Sequence, residues 1–494
     1  MNLHAYSPYL MQKEADMSHL TRRKFLKSAA ASAGIAAGLT IAGTKAAGRV
    51  LGANDTIRVG IAGSNGRGRD HINELAGMKG VQITHLIDPD SSLFASRSES
   101  VQKRGGNTPK CFQDIRQALE DKDLDAISIA SCNHWHSLLT IWSCQAGKDV
   151  YVEKPCSHNP FEGRKCVEAA RKYKRIVQHG TQSRSEKKWA SQIAAVRSGK
   201  YGKLLISYGF ASKPRNSIGL KSPEDPPKQL DYNLWVGPAP MQPFHRNLVH
   251  YNWHWFWDFG NGEIGNQGVH QMDIARWAIT AATGQLGPKS VISMGGRFGY
   301  KDQGQTPNTQ LTIFDFGGGV RLFFEDRGLK TQKCDNEFYL EAGAIKKGKF
   351  YPKGSDKPEE LVSVDYTCHP GGNFGNFINC VRSRKQEELN ADILEAHLSA
   401  LLCHLANISY RLGEEVPFNR QTKALGDDKR AYEALEDMKQ HLVSAAGLKM
   451  EDSKYRLGKM LQYDAAAEKF VGSAEADKLL TRPYRAPFVV PQEV

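Results

Sequence analysis

The sequence predicts an α/β fold, in which an N-terminal Rossmann domain with a doubly wound parallel sheet precedes a second domain. Three observations predict it. A short, β-rich apolar run at 57–62 enters a glycine-rich turn, and an aspartate follows the next strand-like run, 81–87. Strand-like and helical segments then alternate as far as residue 180. Such alternation indicates a parallel sheet whose ligand lies at the carboxyl ends of the strands.

The first strand enters a glycine turn at 63–68 with the sequence GSNGRG. A strand, a glycine turn and a helix let the backbone approach a pyrophosphate and offer it unpaired N–H groups at the helix N-terminus. The usual middle glycine is an asparagine here, and asparagine tolerates a positive φ better than most residues. We assign cofactor binding to five residues of this turn, which are Gly63, Asn65, Gly66, Arg67 and Gly68.

Asp88 follows the second strand, 20 residues after Gly68. A Rossmann fold places at this point the acid that binds the hydroxyl groups of the adenosine ribose. A carboxylate there would repel a 2′-phosphate, so the sequence favours NAD over NADP. The alternative is that Asp88 is a helix cap or a turn residue.

The alternation continues through three more strands and two helices. Strands are predicted at 125–130, 149–152 and 176–179, and helices at 137–145 and 161–173. Polar groups follow the first two of these strands, so we expect them at the ligand-binding edge of the sheet. They are Asn133, His136, Glu153 and Lys154, which we add to the cofactor site.

Beyond residue 180 strand-like runs dominate, with few helices. Strands are predicted at 204–211, 290–294, 310–316, 320–324 and 337–341, with a hairpin at the glycines 317–319 and a helix at 391–412. We predict a long structured loop over the sheet at 213–247, which is rich in Pro and Asp. The predicted domains are a leader (1–48), the Rossmann domain (55–180), a substrate domain (181–425) and a helical tail (426–494) that wraps the surface or a partner.

The leader resembles a twin-arginine signal. The sequence TRRKFLK at 21–27 precedes an Ala/Gly-rich stretch, 29–43, which is too short to span a bilayer stably, and small residues at 44–48 offer a cleavage zone. We therefore expect export to the periplasm by the twin-arginine machinery and no stable membrane span. Because that route carries folded proteins, it favours a nucleotide that is acquired in the cytoplasm and stays bound. The alternative is a chance Arg-Arg on a disordered tail.

Charge and cysteine usage exclude other classes of protein. The net charge is +13, and residues 1–47 hold six basic and two acidic residues, a net +4, which leaves +9. No cluster of Lys and Arg with interleaved aromatics follows, so we do not expect nucleic acid as a partner. The nine cysteines include no Cys-x-x-Cys pair, which argues against a disulfide framework and a zinc site, and we predict no metal.

Three motifs behind the glycine turn resemble the Gfo/Idh/MocA oxidoreductases, over about residues 55–420. They are NHWH at 133–136, EKP at 153–155 and GEIGNQGVHQMD at 262–273. The resemblance implies an α+β second domain built on a large, open antiparallel sheet, with substrate held between that sheet and the nicotinamide. It also implies a sugar, polyol or related alcohol as substrate. An open sheet face commonly needs covering, so we expect a homo-oligomer.

Lys154 and His270 are the candidate acid–base groups. Removal of hydride from a carbinol carbon requires a group that takes the hydroxyl proton, and burial near a cationic nicotinamide lowers the pKa of a lysine. His270 opens a helical segment, and Asp273 three residues on would lie beside its imidazole. The alternatives are a solvated lysine at a strand end, and a histidine that caps the helix or packs in the core.

Asn266 departs from the pattern of inositol dehydrogenase-like members, which carry an aspartate four residues before the histidine. Asparagine can neither take a proton nor hold a negative charge. Either His270 and Lys154 work without that acid, or the chemistry differs from plain alcohol oxidation.

The segment 250–258 contains five aromatic residues and two histidines in nine positions. Such rings stack on the C–H faces of sugars, while histidines address hydroxyl groups. We assign substrate binding to Trp253, His254, Asn266, His270 and Asp273. The alternative, to which we give equal weight, is that the aromatic side chains of this segment fill the core beneath the sheet and do not bind substrate.

Three functions are consistent with these features. The first is an oxidoreductase that transfers hydride from a sugar, polyol or sugar derivative to tightly bound NAD, with Lys154 and His270 as acid and base. The second is an NAD-dependent enzyme that cleaves glycosides by transient oxidation and elimination. The third is a non-catalytic sugar-binding protein that retains a nucleotide fold.

Overall fold

The computed structural model describes residues 56–330 and 332–494. The predicted twin-arginine leader, 1–48, lies outside these residues. Among the helices of the described ranges, none has both the length and the apolar character needed to cross a membrane.

The first sheet has six parallel strands in the order β3-β2-β1-β4-β5-β6. Its strands are β1 (Ile57–Ala62), β2 (Val81–Ile87), β3 (Lys110–Phe112), β4 (Ala126–Ile129), β5 (Asp149–Val152) and β6 (Val177–His179). Its helices are α1 (Arg67–Leu75), α2 (Phe94–Gly105), α3 (Ile115–Leu119), α4 (Asn133–Gln145) and α5 (Pro160–Lys172). The order reverses between β1 and β4, which is the point where such sheets bind a dinucleotide. The predicted Rossmann domain is confirmed.

The second sheet has eleven strands and is mixed rather than wholly antiparallel, because β7 and β10 pair in parallel. Its strands are β7 (Leu204–Ser212), β8 (Ser290–Gly296), β9 (Thr309–Gly317), β10 (Val320–Arg327), β11 (Lys333–Leu340), β12 (Gly343–Lys346), β13 (Lys349–Pro352), β14 (Glu414–Pro417), β15 (Lys454–Leu457), β16 (Leu461–Asp464) and β17 (Lys469–Val471). Gly317, Gly318 and Gly319 form the hairpin between β9 and β10, with φ of 81°, 62° and 81°.

The remaining helices are α6 (Lys187–Arg197), α7 (Tyr232–Val236), α8 (Val269–Thr283), α9 (Gly372–Ser383), α10 (Ile393–Arg411), α11 (Lys429–Ala446) and α12 (Ala474–Asp477). Of these, α9 packs in the core of the first sheet and α7 in a separate aromatic cluster, while others pack on the second sheet. Helices α6, α8 and α10 share one apolar core with the sheet, and α11 shares another through Leu435, Met438 and Leu442.

Helix α11 covers part of the second sheet. It packs on the face opposite α6, α8 and α10, which was expected to need a partner. The expected homo-oligomer stays a prediction. The region 426–494 is not a purely helical tail, since β15, β16 and β17 add strands to the sheet.

The segment 213–250, predicted to lie over the second sheet, contacts both domains. Its first part is hydrogen-bonded to the second domain, where the backbone N–H of Arg215 donates to the Gly328 carbonyl at 2.8 Å. Its later part lies against the Rossmann domain. The backbone N–H of Ser91 donates to the Gln229 carbonyl at 3.0 Å, and that of Asp231 donates to the Pro89 carbonyl at 2.9 Å. The chain end adds a second contact, because the Arg485 guanidinium donates to the backbone and side chain of Asn233, on α7. The segment therefore closes one side of the cleft between the two sheets.

Candidate active site

A cavity of about 370 Å³ lies at the carboxyl ends of β1, β2, β4 and β5. This is within the size range of pockets that bind small molecules and cofactors. Its wall combines the Rossmann domain, the segment 213–250 and the residues that precede α8. The lining residues used below are Gly63, Asn65, Gly66, Arg67, Asp88, Cys132, Asn133, His136, Glu153, Lys154, Trp235, His250, Tyr251, Trp253, His254 and Asn266.

The glycine turn leaves no room for side chains at two positions. A Cβ at Gly63 would lie 2.6 Å from the backbone N of Ser131, and one at Gly68 would lie 1.8 Å from the Gly63 carbonyl oxygen. Gly66 precedes α1 and makes no side-chain cap, so no capping group competes with an anion for the positive end of the helix dipole. The positive φ expected at Asn65 falls instead on Gly63 and Gly66, at 84° and 44°.

Asp88 holds the glycine turn and also lines the cavity. Its Oδ2 accepts the Ser64 backbone N–H at 2.7 Å, and its Oδ1 accepts that of Asp90 at 3.0 Å, so it holds the turn. It also lines the cavity, where the ribose of a bound nucleotide would lie. Burial raises the pKa of Asp88 above its ordinary value, while the hydrogen bonds from Ser64 and Asp90 oppose that rise.

Asn133 and His136 belong to α4, which begins four residues before the helix predicted at 137–145. The Asn133 side chain is 2% exposed, and its Oδ1 has no hydrogen-bond partner in the described part of the chain. The His136 ring lies between two backbone carbonyls, with Nδ1 2.6 Å from Pro155 O and Nε2 2.9 Å from Ser131 O. Asn133 thus offers the cavity an unused acceptor, whereas His136 links two strand ends.

Glu153 is hydrogen-bonded to two residues of α1. Its Oε1 accepts the Arg67 Nε–H at 2.8 Å and is hydrogen-bonded to His71 Nε2 at 3.1 Å. Burial alone would raise the pKa of Glu153, but the His71 hydrogen bond and the Arg67 charge hold it well below its ordinary value. Glu153 therefore fixes the strand end that carries Lys154 rather than presenting an open carboxylate.

Lys154 meets Asn266, from the other domain. Its Nζ donates to the Asn266 backbone oxygen at 2.7 Å and lies 3.3 Å from the side-chain Oδ1. Asn266 lies in a π-helical turn, Ile264–Gly268, a form that recurs at functional sites. Burial lowers the pKa of Lys154, although the negative charges of Glu153 and Glu263 oppose that change.

His270 lies near Lys154 but does not line the cavity. Burial and the Lys154 charge lower the pKa of His270 to about 3, so its imidazole is neutral at physiological pH. The expected pair with Asp273 does not form. Asp273 is buried on α8 and accepts both the Arg184 Nε–H, at 2.9 Å, and the Ser399 hydroxyl, at 2.6 Å. Asp273 is therefore a structural ion-pair partner rather than a substrate ligand.

The aromatic segment divides between the cavity and the core. Trp253 and His254 line the cavity with their rings stacked 3.6 Å apart, and Tyr251 beside them is 50% exposed. Trp253 also packs with Phe256 and Phe259 in a buried cluster. Both interpretations of the segment therefore apply, and Trp253 belongs both to the cavity wall and to the core.

The site contains an acid that sequence reasoning did not single out. Glu263 is buried, and its carboxylate accepts two hydrogen bonds from the Arg215 guanidinium, at 2.9 and 2.7 Å. It stands three residues before Asn266, whose Nδ2 lies 3.3 Å from Glu263 Oε2. Only the charge of Glu263 within a glycine-rich motif could have drawn attention to it.

Comparisons with known proteins agree with this geometry. Residues 57–181 match the model of the oxidoreductase family NAD-binding Rossmann fold, and residues 216–443 match its C-terminal alpha/beta domain. Inositol 2-dehydrogenase of Salmonella typhimurium is 28% identical over 156 residues, 31% of this chain and 45% of that protein. A glycosyl hydrolase family 109 protein of Shewanella pealeana is 27% identical over 206 residues, 38% of this chain and 44% of that protein. The match thus spans less than half the length of these curated relatives.

Solved structures share the fold. The WlbA dehydrogenase of Bordetella pertussis, in complex with NADH and UDP-GlcNAcA, has a TM-score of 0.51 and 17% identity, covering 70% of this chain and 94% of that chain. A levoglucosan dehydrogenase in complex with NADH has a TM-score of 0.51 and 14% identity, covering 71% and 96%.

Proposed function

The chain belongs to the Gfo/Idh/MocA oxidoreductase family, whose N-terminal domain is an NAD-binding Rossmann fold, and from this we propose that it oxidises a sugar, polyol or sugar derivative with bound NAD. The observation that carries the proposal is the contact between Lys154 and Asn266, which both line the cavity. It brings a proton-handling group of the Rossmann domain against the domain that would hold substrate.

The contacts with Asn266 allow Lys154 to act as a base. A neutral amine has two N–H bonds, and Asn266 supplies two oxygen acceptors, at 2.7 and 3.3 Å. The lone pair of Nζ then stays available to take the proton of a substrate hydroxyl. An aspartate at 266 would hold Lys154 as ammonium by its charge, so the asparagine favours the neutral amine.

The residues present fit NAD. The turn at Gly63–Gly68 gives a pyrophosphate close access to backbone and to the N-terminus of α1, and Asp88 lies where it can accept ribose hydroxyl groups. The unpaired Oδ1 of Asn133 offers an acceptor to a nicotinamide carboxamide. When bound, NAD supplies the hydride acceptor. This chain's part is to orient the carbinol, exclude water and move the hydroxyl proton to Lys154 Nζ.

Substrate would lie against the aromatic wall. Stacked Trp253 and His254 present an apolar surface to sugar C–H groups, and Tyr251 offers a hydroxyl at its edge. His270 is neutral and lies near Lys154 but does not line the cavity, so the acid–base role expected for it stays a prediction. A carbohydrate substrate is consistent with the names of the inositol 2-dehydrogenase relatives.

A substrate panel tests the proposal. Sugars, polyols and sugar acids are mixed with the NAD-loaded protein, and the absorbance of reduced nicotinamide is followed for the wild type and Lys154→Met. Reduction by the wild type only, with equal NADH binding in both proteins, supports the proposal. Equal reduction by Lys154→Met removes the lysine from the reaction.

A second candidate is redox-assisted glycoside cleavage, which similarity to a glycosyl hydrolase family 109 protein favours. Transient oxidation at C3 acidifies the proton at C2, and a neutral Lys154 is suited to remove it before the glycosidic bond breaks. Aryl glycosides added to the same panel separate the two functions. Aglycone release without net NADH accumulation indicates cleavage, whereas NADH accumulation without aglycone release indicates oxidation.

We also propose export by the twin-arginine route to the periplasm with the nucleotide already bound. The leader carries that proposal, and the segment 213–250 supports retention because it is hydrogen-bonded to the Rossmann domain beside the cavity. His250 adds a contact, with Nε2 2.9 Å from Asp90 Oδ2. Denaturing protein purified from the periplasm should release stoichiometric NAD(H), and an empty protein would contradict retention.

A further inference from the structure

We propose that Glu263 is a positioning residue for Lys154. It orients the Asn266 amide so that the amide oxygen faces the lysine nitrogen, and its charge acts on Lys154 from behind that amide. The inference rests on the proposed function, in which Lys154 handles the substrate proton.

The first step is the orientation of the Asn266 amide. Its Nδ2 lies 3.3 Å from Glu263 Oε2 and 3.4 Å from the Tyr251 hydroxyl, which both accept, and its Oδ1 lies 3.3 Å from Lys154 Nζ, which donates. Turning the amide over would set Oδ1 against the Glu263 carboxylate and Nδ2 against the lysine nitrogen. The contact with the carboxylate would be repulsive, and Oδ1 would no longer accept a Lys154 N–H, so Glu263 selects the orientation that serves Lys154.

The second step is that Glu263 is itself held in place. Arg215 donates two hydrogen bonds to its two carboxylate oxygens, the bidentate arrangement that best fixes a carboxylate. Arg215 Nη1 also lies 3.2 Å from the Tyr251 hydroxyl, the second acceptor for Asn266 Nδ2. The four side chains of Glu263, Arg215, Tyr251 and Asn266 therefore form one connected network behind Lys154.

The third step is charge. Around Lys154, Glu153 and Glu263 favour the ammonium, whereas Arg67 and Lys213 oppose it. His254 and His270 also lie in its field and are neutral, since burial lowers the pKa of each to about 3. His136 lies near it with a pKa that burial likewise lowers. Glu153 is engaged by Arg67 and His71 on the far side of Lys154. Burial and the Glu263 charge raise the pKa of the neighbouring Asp326 well above its ordinary value, so Glu263 is the charged acid on the side of the second domain.

Glu263→Gln tests the proposal, because glutamine keeps an acceptor for Asn266 but removes the charge. The Lys154 pKa is measured by competitive acetylation with acetic anhydride across pH, on protein saturated with NADH, with peptides quantified by mass spectrometry. Loss of a negative charge destabilises the ammonium, so the Lys154 pKa should fall by about one unit. Arg215→Met removes the opposite charge and leaves the carboxylate, so it should shift that pKa upward.

The matched control is Asp302→Asn, which breaks another bidentate pair of the same domain, with Arg297 at 2.7 and 2.8 Å. It should lower thermal stability without moving the Lys154 pKa. The proposal is overturned if Glu263→Gln loses stability as the control does while Lys154 titrates as in the wild type.

Acetylation does not need turnover, so the two proposals fail separately. A shifted Lys154 pKa in a protein that oxidises no sugar would refute the proposed function and leave the role of Glu263 standing. An unshifted pKa in an enzyme that depends on Lys154 would refute the role of Glu263 alone.

Discussion

Replacing Asn266 by aspartate should raise the pKa of Lys154 and move activity to higher pH. The side-chain oxygen of residue 266 lies 3.3 Å from Lys154 Nζ. A unit negative charge at that distance stabilises the ammonium by about 1.3 kcal/mol at the dielectric constant of water, and by about 5 kcal/mol at an effective value of about 20. These energies correspond to a rise of about 1 to 4 in the Lys154 pKa.

The direction of the pH effect depends on the role proposed for Lys154. Burial lowers the Lys154 pKa, which makes the neutral amine accessible, and the new charge counteracts that effect. Because the neutral amine is the active form, kcat/KM below the new pKa should fall about tenfold each time the Lys154 pKa rises by one. The loss should disappear at pH values above the raised pKa.

The assay is the pH profile of kcat/KM for the fastest substrate of the panel, together with acetylation of Lys154. Asn266→Ala is the matched control, since it removes the amide without adding charge and should slow the reaction without an upward change in the Lys154 pKa. An Asn266→Asp enzyme that keeps the acidic limb of the wild type would refute the role of Lys154 as the titrating base. The titrating group would then lie elsewhere in the site.

Three further perturbations test the cofactor turn, the segment beside the cavity and the covered sheet. Gly68→Ala would place a methyl group 1.8 Å from a carbonyl oxygen, so NADH affinity in a fluorescence titration should fall by about tenfold or more. Gly77→Ala, where a methyl group meets open space, should leave that affinity unchanged. Equal NADH affinity of the two variants would contradict the prediction. Arg485→Ala removes charged hydrogen bonds to α7, so stopped-flow measurement should show NADH dissociation about fivefold faster or more; an unchanged rate would show that the chain end does not secure the segment. Met438→Asp, at a site 2% exposed on α11, should lower the free energy of unfolding by about 3 kcal/mol or more and promote self-association in light scattering. Val443→Asp, 47% exposed on the same helix, should do neither. The same behaviour in both variants would contradict the conclusion that α11 covers the sheet.

The Rossmann domain was predictable because its strands are buried and short, with turn residues at their ends. The ranges predicted for β1, β2 and β5 agree with the observed bounds to the residue. The strand β3 was missed because only three residues pair, and they are partly exposed. The start of α4 was missed because Cys132, which precedes it, makes no side-chain cap that the sequence could reveal.

The second domain was less predictable because its contacts are remote in sequence. The pattern of α11 shows an apolar face, but nothing in that pattern tells whether the face meets a partner chain or the chain's own sheet. Helical spacing likewise predicted that Asp273 would serve His270. In the structure, Asp273 instead accepts a hydrogen bond at 2.9 Å from Arg184, which is 89 positions away in the sequence.

The site was predictable in its residues but not in its pairings. Motif and strand-end reasoning selected Lys154 and Asn266 separately, and the structure joins them across 112 residues of sequence. The role suggested for Glu263 depends on the amide orientation of Asn266 and on the reach of Arg215, which only the folded arrangement specifies.

The central claim is that Lys154 accepts the proton as hydride passes from a carbohydrate to bound NAD. The most direct measurement is single-turnover reduction of the bound nicotinamide, followed across pH in the wild type and in Lys154→Met. We predict reduction in the wild type with one acidic limb, and no comparable reduction at any pH in Lys154→Met that binds NADH normally. Reduction in that variant with the rate and pH profile of the wild type would contradict the claim.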